Sequence, residues 1–112
     1  MAFNATLETS DDIAKITLSG ELDASTASEL KAKVEEAAAQ NPKSLVLMMA
    51  DLEYMASAGL RVLIFAKQKM GAVDIYIVGA QKDTVLETII KTGFHHSVIL
   101  LDEYDENKIG KA

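Results

Sequence analysis

The succession of secondary structure is clearest in residues 45–70, which read LVLMMADLEYMASAGLRVLIFAKQKM. An unbroken apolar run over residues 45–50 has the length of a strand that is buried on both faces of a sheet. Small and polar residues then form a turn, and from Ser57 the apolar positions recur at helical spacing, with Gly71 as the C-terminal stop. The expected inner side of this helix contains Leu60, Leu63, Ile64 and Lys67. The stretch therefore predicts a strand, a turn and a helix over residues 57–70.

The residues before this stretch predict a hairpin and a helix. Apolar residues alternate over residues 3–7 and again over 16–18, which indicates two short strands joined by the polar turn 10–12, the second ending at Gly20. Helical spacing over residues 24–40 predicts a helix. Its N-cap is Asp23, or Thr26 forms a capping box with Glu29 if the helix starts later.

The residues after it predict a second alternation of strand and helix. We expect a strand over 73–78, a helix over 84–92 capped by Asp83, and a closing strand over 97–101. The expected inner side of this helix contains Val85, Leu86, Ile89 and Ile90. Gly93 follows it, as glycine often does at a helix C-terminus.

Together these elements predict a single α/β domain over residues 1–101. Alternating strands and helices imply a largely parallel sheet, here a mixed sheet of four or five strands that starts with a β-hairpin. Residues 102–112 are charged and predict an acidic C-terminal helix or tail, which makes three to four helices in all. No Gly-rich phosphate loop follows a strand, so we expect no nucleotide enzyme and no cofactor.

Composition narrows the function further. The chain has 112 residues, 11 Lys and Arg against 17 Asp and Glu, a net charge of −6, and no cysteine. Without cysteine there are no disulfides and no zinc–thiolate sites. The acidic balance without a basic cluster argues against nucleic-acid binding. No signal pattern or membrane-length apolar run is present, so we expect a cytoplasmic protein.

Ser57 is the residue on which chemistry could depend. One interpretation is structural, because serine is a preferred helix N-cap. A second is a modified serine, since a helix N-terminus stabilises added negative charge and the small neighbours Ala56, Ala58 and Gly59 give access to the hydroxyl. A third is the nucleophile of a hydrolase, but the nucleophile elbow requires a glycine where Met55 stands.

The adjacent pair His95 and His96 supplies no base or metal site. The pair follows a different helix from Ser57, and no third ligand at suitable spacing accompanies it. We expect it to lie in a solvated loop after Gly93. The sequence therefore predicts no catalytic residue.

Two separated motifs resemble a known family. The segments GELDASTASEL at residues 20–30 and DLEYMASAGL at 51–60, with Val46-Leu47 between them and Gly93-Phe94 after them, are similar to the STAS domain of bacterial anti-sigma factor antagonists. The resemblance extends over nearly the whole chain. It implies a protein-binding switch without enzymatic activity.

The resemblance also implies partners and site residues. Ser57 matches the residue that a serine kinase, itself the anti-sigma factor, phosphorylates. The unphosphorylated form binds that kinase and releases a sigma factor, and a serine phosphatase removes the phosphate. The expected contact surface consists of Asp23, Ser25, Thr26, Ala56, Ser57, Ala58, Gly59 and Arg61.

Four positions depart from the family pattern. Ala56 stands where the family usually has aspartate, and Ala58 stands where it often has serine. Met48 replaces a residue that is commonly polar, and Arg61 one that is often glycine. Arg61 places a cation one helical turn from Ser57, within reach of a phosphate there. The change at Ala56 favours an alternative, a STAS scaffold that is never phosphorylated. The oligomeric state is left open.

Overall fold

A five-stranded sheet forms the centre of the computed structural model, which describes residues 2–80, 83–105 and 109. The elements in chain order are β1 (Asn4–Ser10), β2 (Ile13–Leu22), α1 (Ala27–Ala39), β3 (Ser44–Met55), α2 (Ser57–Lys69), β4 (Asp74–Val78), α3 (Asp83–Lys91), a short 3₁₀ helix (Phe94–His96) and β5 (Ile99–Leu101). This arrangement confirms the predicted α/β class and the order of its elements.

The strands lie side by side in chain order, so β3 is central, as predicted. β1 and β2 form an antiparallel hairpin, and the other neighbouring strands pair in parallel. Asp11 and Asp12 both have positive φ, 50° and 66°. Two such residues are typical of the tight turn that suits the twist of a β-hairpin.

All three helices contribute to one core on a single face of the sheet. Along β3, Leu45 and Leu47 belong to that core, whereas Val46 belongs to a second cluster on the opposite face. The apolar run of β3 is therefore explained by burial on both faces, as the sequence indicated. Ile109 joins the second cluster and is itself buried.

Two strands extend beyond their predicted ends. β2 continues past Gly20 to Leu22, because Gly20 adopts a φ of +83° at an irregularity in the β2–β3 pairing, which lets the strand bulge and not stop. β3 continues past residue 50 to Met55, which pairs with Leu22. Both extensions carry the sheet up to the start of α2.

The helices also differ from the predictions in detail. α1 starts at Ala27, not at residue 24, and its N-cap residue is Thr26, which makes no side-chain capping bond. The predicted cap at Asp23 is therefore wrong. Ile64 and Ile90, both expected on inner sides, are 37% and 46% exposed. The buried residues of α2 are offset toward Val62 and Ala66, away from Ile64, and those of α3 are Val85 and Ile89.

Residues 102–112 remain only partly described. The Ile109 N–H donates a hydrogen bond to the Asp105 carbonyl at 3.1 Å. Residues 106–108 and 110–112 lie outside the described residues, so the division at residue 101 and the choice between helix and tail stay predictions.

Candidate partner-binding site

The carboxyl ends of β2 and β3 place two candidate segments next to each other. Leu22 and Met55 are paired residues, and the Ala56 N–H donates to the Leu22 carbonyl at 2.8 Å. The loop that begins at Asp23 and the helix that begins at Ser57 thus leave the sheet from one point. Parallel strands direct their carboxyl ends to the same edge, which is where ligands of open α/β sheets usually bind.

Ser57 is the first residue of α2, and its side chain is exposed. The N-cap residue is Ala56, which has no side-chain acceptor, and the first turn contains no acidic residue. Ser57 is therefore next to the cap and not the cap itself. The first turn of α2 therefore supplies no side chain that neutralises the positive end of the helix dipole.

Gly59 explains why the helix can begin so close to the sheet. It is buried, and a Cβ placed there would lie 2.6 Å from Cγ of Leu22 and 3.1 Å from Cγ of Met55. Only glycine leaves room for this approach. Gly59 therefore lies beneath the candidate surface, while Ala56 and Ala58 are half-buried at its edge.

The loop from Asp23 to Thr26 is held by its own side chains. The Ser25 hydroxyl and N–H both donate to Oδ1 of Asp23, at 2.7 and 2.9 Å, and the Asp23 N–H donates to Oγ1 of Thr26 at 2.9 Å. Thr26 Oγ1 in turn donates to the Glu21 carbonyl at 3.0 Å. The hydrogen bond from the Ser25 hydroxyl, followed by the others, holds the pKa of Asp23 below its ordinary value.

Two threonines of α3 support the end of β3, and neither was among the predicted site residues. Thr84 donates to the Glu53 carbonyl and Thr88 to the Met55 carbonyl, the latter at 3.2 Å. These bonds fix the strand immediately before Ser57. The available signal was the i, i+4 spacing of two threonines on one face of a helix.

Arg61 lies one turn after Ser57 on the same exposed side of α2. Within the described residues its guanidinium group forms no ion pair or hydrogen bond. The structure therefore brings Asp23, Ser25, Thr26, Ala56, Ser57, Ala58 and Arg61 to one edge of the molecule.

The histidine pair lies elsewhere. His95 and His96 belong to the 3₁₀ helix after α3, with ring centroids 3.9 Å apart. The expectation of a solvated loop is wrong for His95, which is half-buried in this helix with its Nδ1 buried and without a hydrogen-bond partner in the described part of the chain, whereas His96 is exposed. No hydrogen bond joins either imidazole to Ser57 across residues 2–80 and 83–105, so neither histidine is positioned as a base for Ser57 there.

Comparison with known proteins identifies this architecture. The sequence model of the STAS domain family matches residues 4–107 of this chain. The chain belongs to the STAS domain family. This confirms the resemblance that the motifs at residues 20–30 and 51–60 carry.

Relatives and solved structures agree with this assignment. The STAS domain is 30% identical over 70 residues to the anti-sigma-F factor antagonist RsfB of Mycobacterium tuberculosis, a match over 62% of this chain and 57% of RsfB. The matched region thus spans little more than half of that relative. An anti-sigma factor antagonist from Mycobacterium paratuberculosis superposes with a TM-score of 0.85 at 25% identity, covering 94% of this chain and 90% of the other.

The fold is also shared with the anti-sigma factor antagonist SpoIIAA. Its unphosphorylated form gives a TM-score of 0.72 at 19% identity, covering 96% of this chain and 94% of SpoIIAA. The phosphorylated form of SpoIIAA from Bacillus gives 0.69 at 18% identity, with 96% and 95% coverage. At these identities the likeness concerns the fold.

The family assignment and the helices each bear on one further expectation. STAS domains of this kind are non-enzymatic regulators, which agrees with the prediction that the chain is not an enzyme. Among the described helices, none combines the length and apolar character needed to cross a bilayer.

Proposed function

We propose that this STAS domain is an anti-sigma factor antagonist whose binding to an anti-sigma serine kinase is controlled by phosphorylation of Ser57. The unphosphorylated domain sequesters the kinase and so releases a sigma factor. Phosphorylation by the kinase ends the complex, and a serine phosphatase restores the binding form. Because sigma factors act on RNA polymerase, we place the protein in the cytoplasm.

The exposed hydroxyl of Ser57 at the start of α2 is the observation that carries this proposal. A kinase needs an accessible hydroxyl, and the half-buried Ala56 and Ala58 add little bulk around it. A helix N-terminus without an acidic residue also favours a dianionic phosphate by about 0.3–1 kcal/mol. The domain can therefore accept the modification without unfolding.

The fold supports the same conclusion. SpoIIAA keeps this architecture in both its unphosphorylated and its phosphorylated form. A phosphate on Ser57 would then act at the contact surface and not through the core. It brings a charge of about −1.5 to −2 to that surface, which imposes a desolvation cost and repels acidic groups of a bound partner.

Binding and phosphorylation can be tested together with purified components. The domain is incubated with ATP and each serine kinase encoded beside its gene, and intact mass and peptide mapping locate any phosphate. Ser57→Ala is expected to bind the kinase like the wild type and to receive no phosphate. Ser57→Asp is expected to fold but to bind more weakly, because it places a carboxylate in the contact surface.

Ser97→Ala is the matched control, since Ser97 is also exposed but follows the 3₁₀ helix, away from α2. It should be phosphorylated and bound like the wild type. Phosphate on Ser97 or on the Ser25 hydroxyl, with Ser57 unmodified, would contradict the proposal.

Ala56 favours a second candidate, a STAS scaffold that binds its partner without phosphorylation. The family usually has aspartate at this position, and its absence removes a carboxylate that a kinase could use for recognition. Equal binding by the wild type, Ser57→Ala and Ser57→Asp, with no phosphate on Ser57, would leave the scaffold as the function.

A further inference from the structure

One side of α2 forms a continuous exposed stripe. Ser57, Arg61, Ile64 and Gln68 are all exposed and follow one another at intervals of four, three and four residues, which places them on one face of a helix. The buried residues Leu60, Val62, Leu63 and Ala66 flank this face or lie on the opposite side of the helix. We call these four exposed residues the α2 stripe.

Charge distinguishes this helix from the rest of the domain. The chain has a net charge of −6, yet α2 contains Arg61, Lys67 and Lys69 and no acidic residue. Lys69 lies 6.0 Å from the centre of the Phe65 ring, and Lys31 of α1 lies 4.9 Å from the same ring. These two ammonium groups are engaged by an aromatic face, whereas Arg61 has no such contact in the described residues.

Ile64 is the apolar member of the stripe. The helical pattern of the sequence groups it with the buried aliphatic residues of α2, yet its side chain is 37% exposed. It lies three residues after Arg61 and seven after Ser57, on the same face of α2. The N-terminal end of that face belongs to the candidate site. Arginine is enriched in protein interfaces, and the exposed aliphatic side chain next to it offers a partner apolar area to bury.

We propose that the α2 stripe extends the partner-binding surface to Ile64 and that Arg61 is the residue through which phosphate on Ser57 releases the partner. This inference rests on the proposed function and specifies its mechanism. The partner presents a carboxylate to Arg61 and an apolar pocket to Ile64. When Ser57 is phosphorylated, the phosphate captures Arg61 within the same helix, and the partner's carboxylate loses its counter-charge.

The spacing of the two residues makes this capture possible. Side chains four residues apart are neighbours on a helix, and a guanidinium group binds phosphate through paired hydrogen bonds. The captured pair would face the partner with a net negative charge. An acidic group of the partner that previously bound Arg61 is then repelled by the pair that Arg61 forms with the phosphate.

The capture can be measured without a partner. Phosphoserine is incorporated at residue 57 by genetic encoding, and ³¹P NMR follows titration of the phosphate. Arg61 should lower the second pKa of that phosphate, so Arg61→Gln is expected to raise it. Lys69→Gln makes the same change in charge on the same helix and should leave the pKa unaltered. A phosphate pKa that is equal in the wild type and in Arg61→Gln would overturn the capture.

The docking surface is tested by affinity for the kinase that binds the wild-type domain. Ile64→Ala and Arg61→Gln should each weaken binding by about fivefold or more, as contributing interface residues do. Ile90→Ala is the matched control, because Ile90 is 46% exposed but belongs to α3. Equal affinity of Ile64→Ala and the wild type would overturn the extension of the surface to Ile64.

A double-mutant comparison connects Arg61 to the switch. If capture of Arg61 releases the partner, Ser57→Asp should weaken binding much less in the Arg61→Gln background than in the wild type. An equal loss in both backgrounds would overturn the inference and leave direct repulsion as the mechanism. That outcome keeps the proposed function, whereas absence of kinase binding by the wild type and by Ser57→Ala would overturn both.

Discussion

The position of Ser57 next to the N-cap predicts that its hydroxyl contributes little to stability, which distinguishes a functional role from a structural one. Its hydroxyl is exposed and lies next to, not at, the N-cap of α2. Ser57→Ala should therefore change the free energy of unfolding by no more than about 0.5 kcal/mol. Thr26→Ala should cost more, about 1 kcal/mol, because Thr26 Oγ1 accepts from Asp23 and donates to Glu21. Urea unfolding measures both, and a larger loss for Ser57→Ala would contradict this assignment.

The lowered pKa of Asp23 predicts that the stability of the loop from Asp23 to Thr26 depends on pH. Its pKa is lowered mainly by the hydrogen bond from the Ser25 hydroxyl, so the ionised carboxylate stabilises the loop. The direction of this pH dependence follows from the linkage between protonation and folding. This contribution is complete above the ordinary aspartate pKa and is lost as the pH falls through the lower pKa of the folded state.

Ser25→Ala removes the hydroxyl and keeps the backbone N–H bond to Asp23. We expect the pKa of Asp23 to rise toward its ordinary value, as measured by ¹³C NMR of the carboxyl carbon. Ser28→Ala is the control, since Ser28 is exposed in the first turn of α1 and makes no bond to Asp23 in the described residues. An unchanged pKa in Ser25→Ala would show that the hydroxyl does not hold the carboxylate.

At the scale of elements, Gly59 determines how closely α2 approaches the sheet. A Cβ at this position would lie 2.6 Å from Leu22 Cγ, and Leu22 is fully buried and cannot move aside without cost. Overpacking of this kind costs about 1–3 kcal/mol, which exceeds the gain of up to about 1 kcal/mol from replacing glycine in a helix. Gly59→Ala should therefore lower the free energy of unfolding.

Gly71→Ala provides the matched control for Gly59→Ala. A Cβ at Gly71 meets only the Lys67 carbonyl, at 3.9 Å, so no clash results. Its effect on unfolding should be small. Because Gly59 lies two residues after Ser57 in the first turn of α2, Gly59→Ala should also alter the amide NMR shifts of residues 56–58, whereas Gly71→Ala should not. Equal stability of the two variants would show that Leu22 adapts.

The same elements show what the sequence can and cannot predict. The order of strands and helices, the central β3 and the start of α2 follow from local periodicity and were predicted correctly. The ends of β2 and β3 depend on a bulge at Gly20 and on pairing between distant residues, which periodicity does not contain. The exposure of Ile64 depends on how α2 is rotated against the sheet, and a helical pattern alone fixes that rotation only approximately.

The site shows the same division. Ser57 and its small neighbours are recognisable because they are contiguous in the sequence. The support from Thr84 and Thr88 is not, since these hydroxyl groups meet carbonyls of Glu53 and Met55 that lie about thirty residues earlier, with a sequence separation of 31 for the first pair. Such contacts arise from the packing of α3 on β3, and only the three-dimensional structure brings them together.

At the scale of the whole molecule, the two faces of the sheet are covered by different means. The helices cover one face, and on the other Ile109 packs with Val46, Tyr76 and Val78. A parallel sheet is stable when both faces are buried, so the chain after β5 contributes to the core. The charged stretch at residues 102–112 therefore contains residues with a structural role, Ile109 and the partly buried Tyr104.

Ile109→Ala tests this role. Ile109 is only 3% exposed, and its truncation should lower the free energy of unfolding by about 2–4 kcal/mol, because it removes buried methyl groups and leaves a cavity over the sheet. Ile90→Ala, at a 46% exposed position, should cost less than about 1 kcal/mol. Since Ile109 and Ser57 belong to opposite sides of the sheet, kinase binding by the folded Ile109→Ala variant should equal that of the wild type. Urea unfolding and affinity measurements on the same samples check both statements, and equal stability of the two alanine variants would show that the second face does not depend on Ile109.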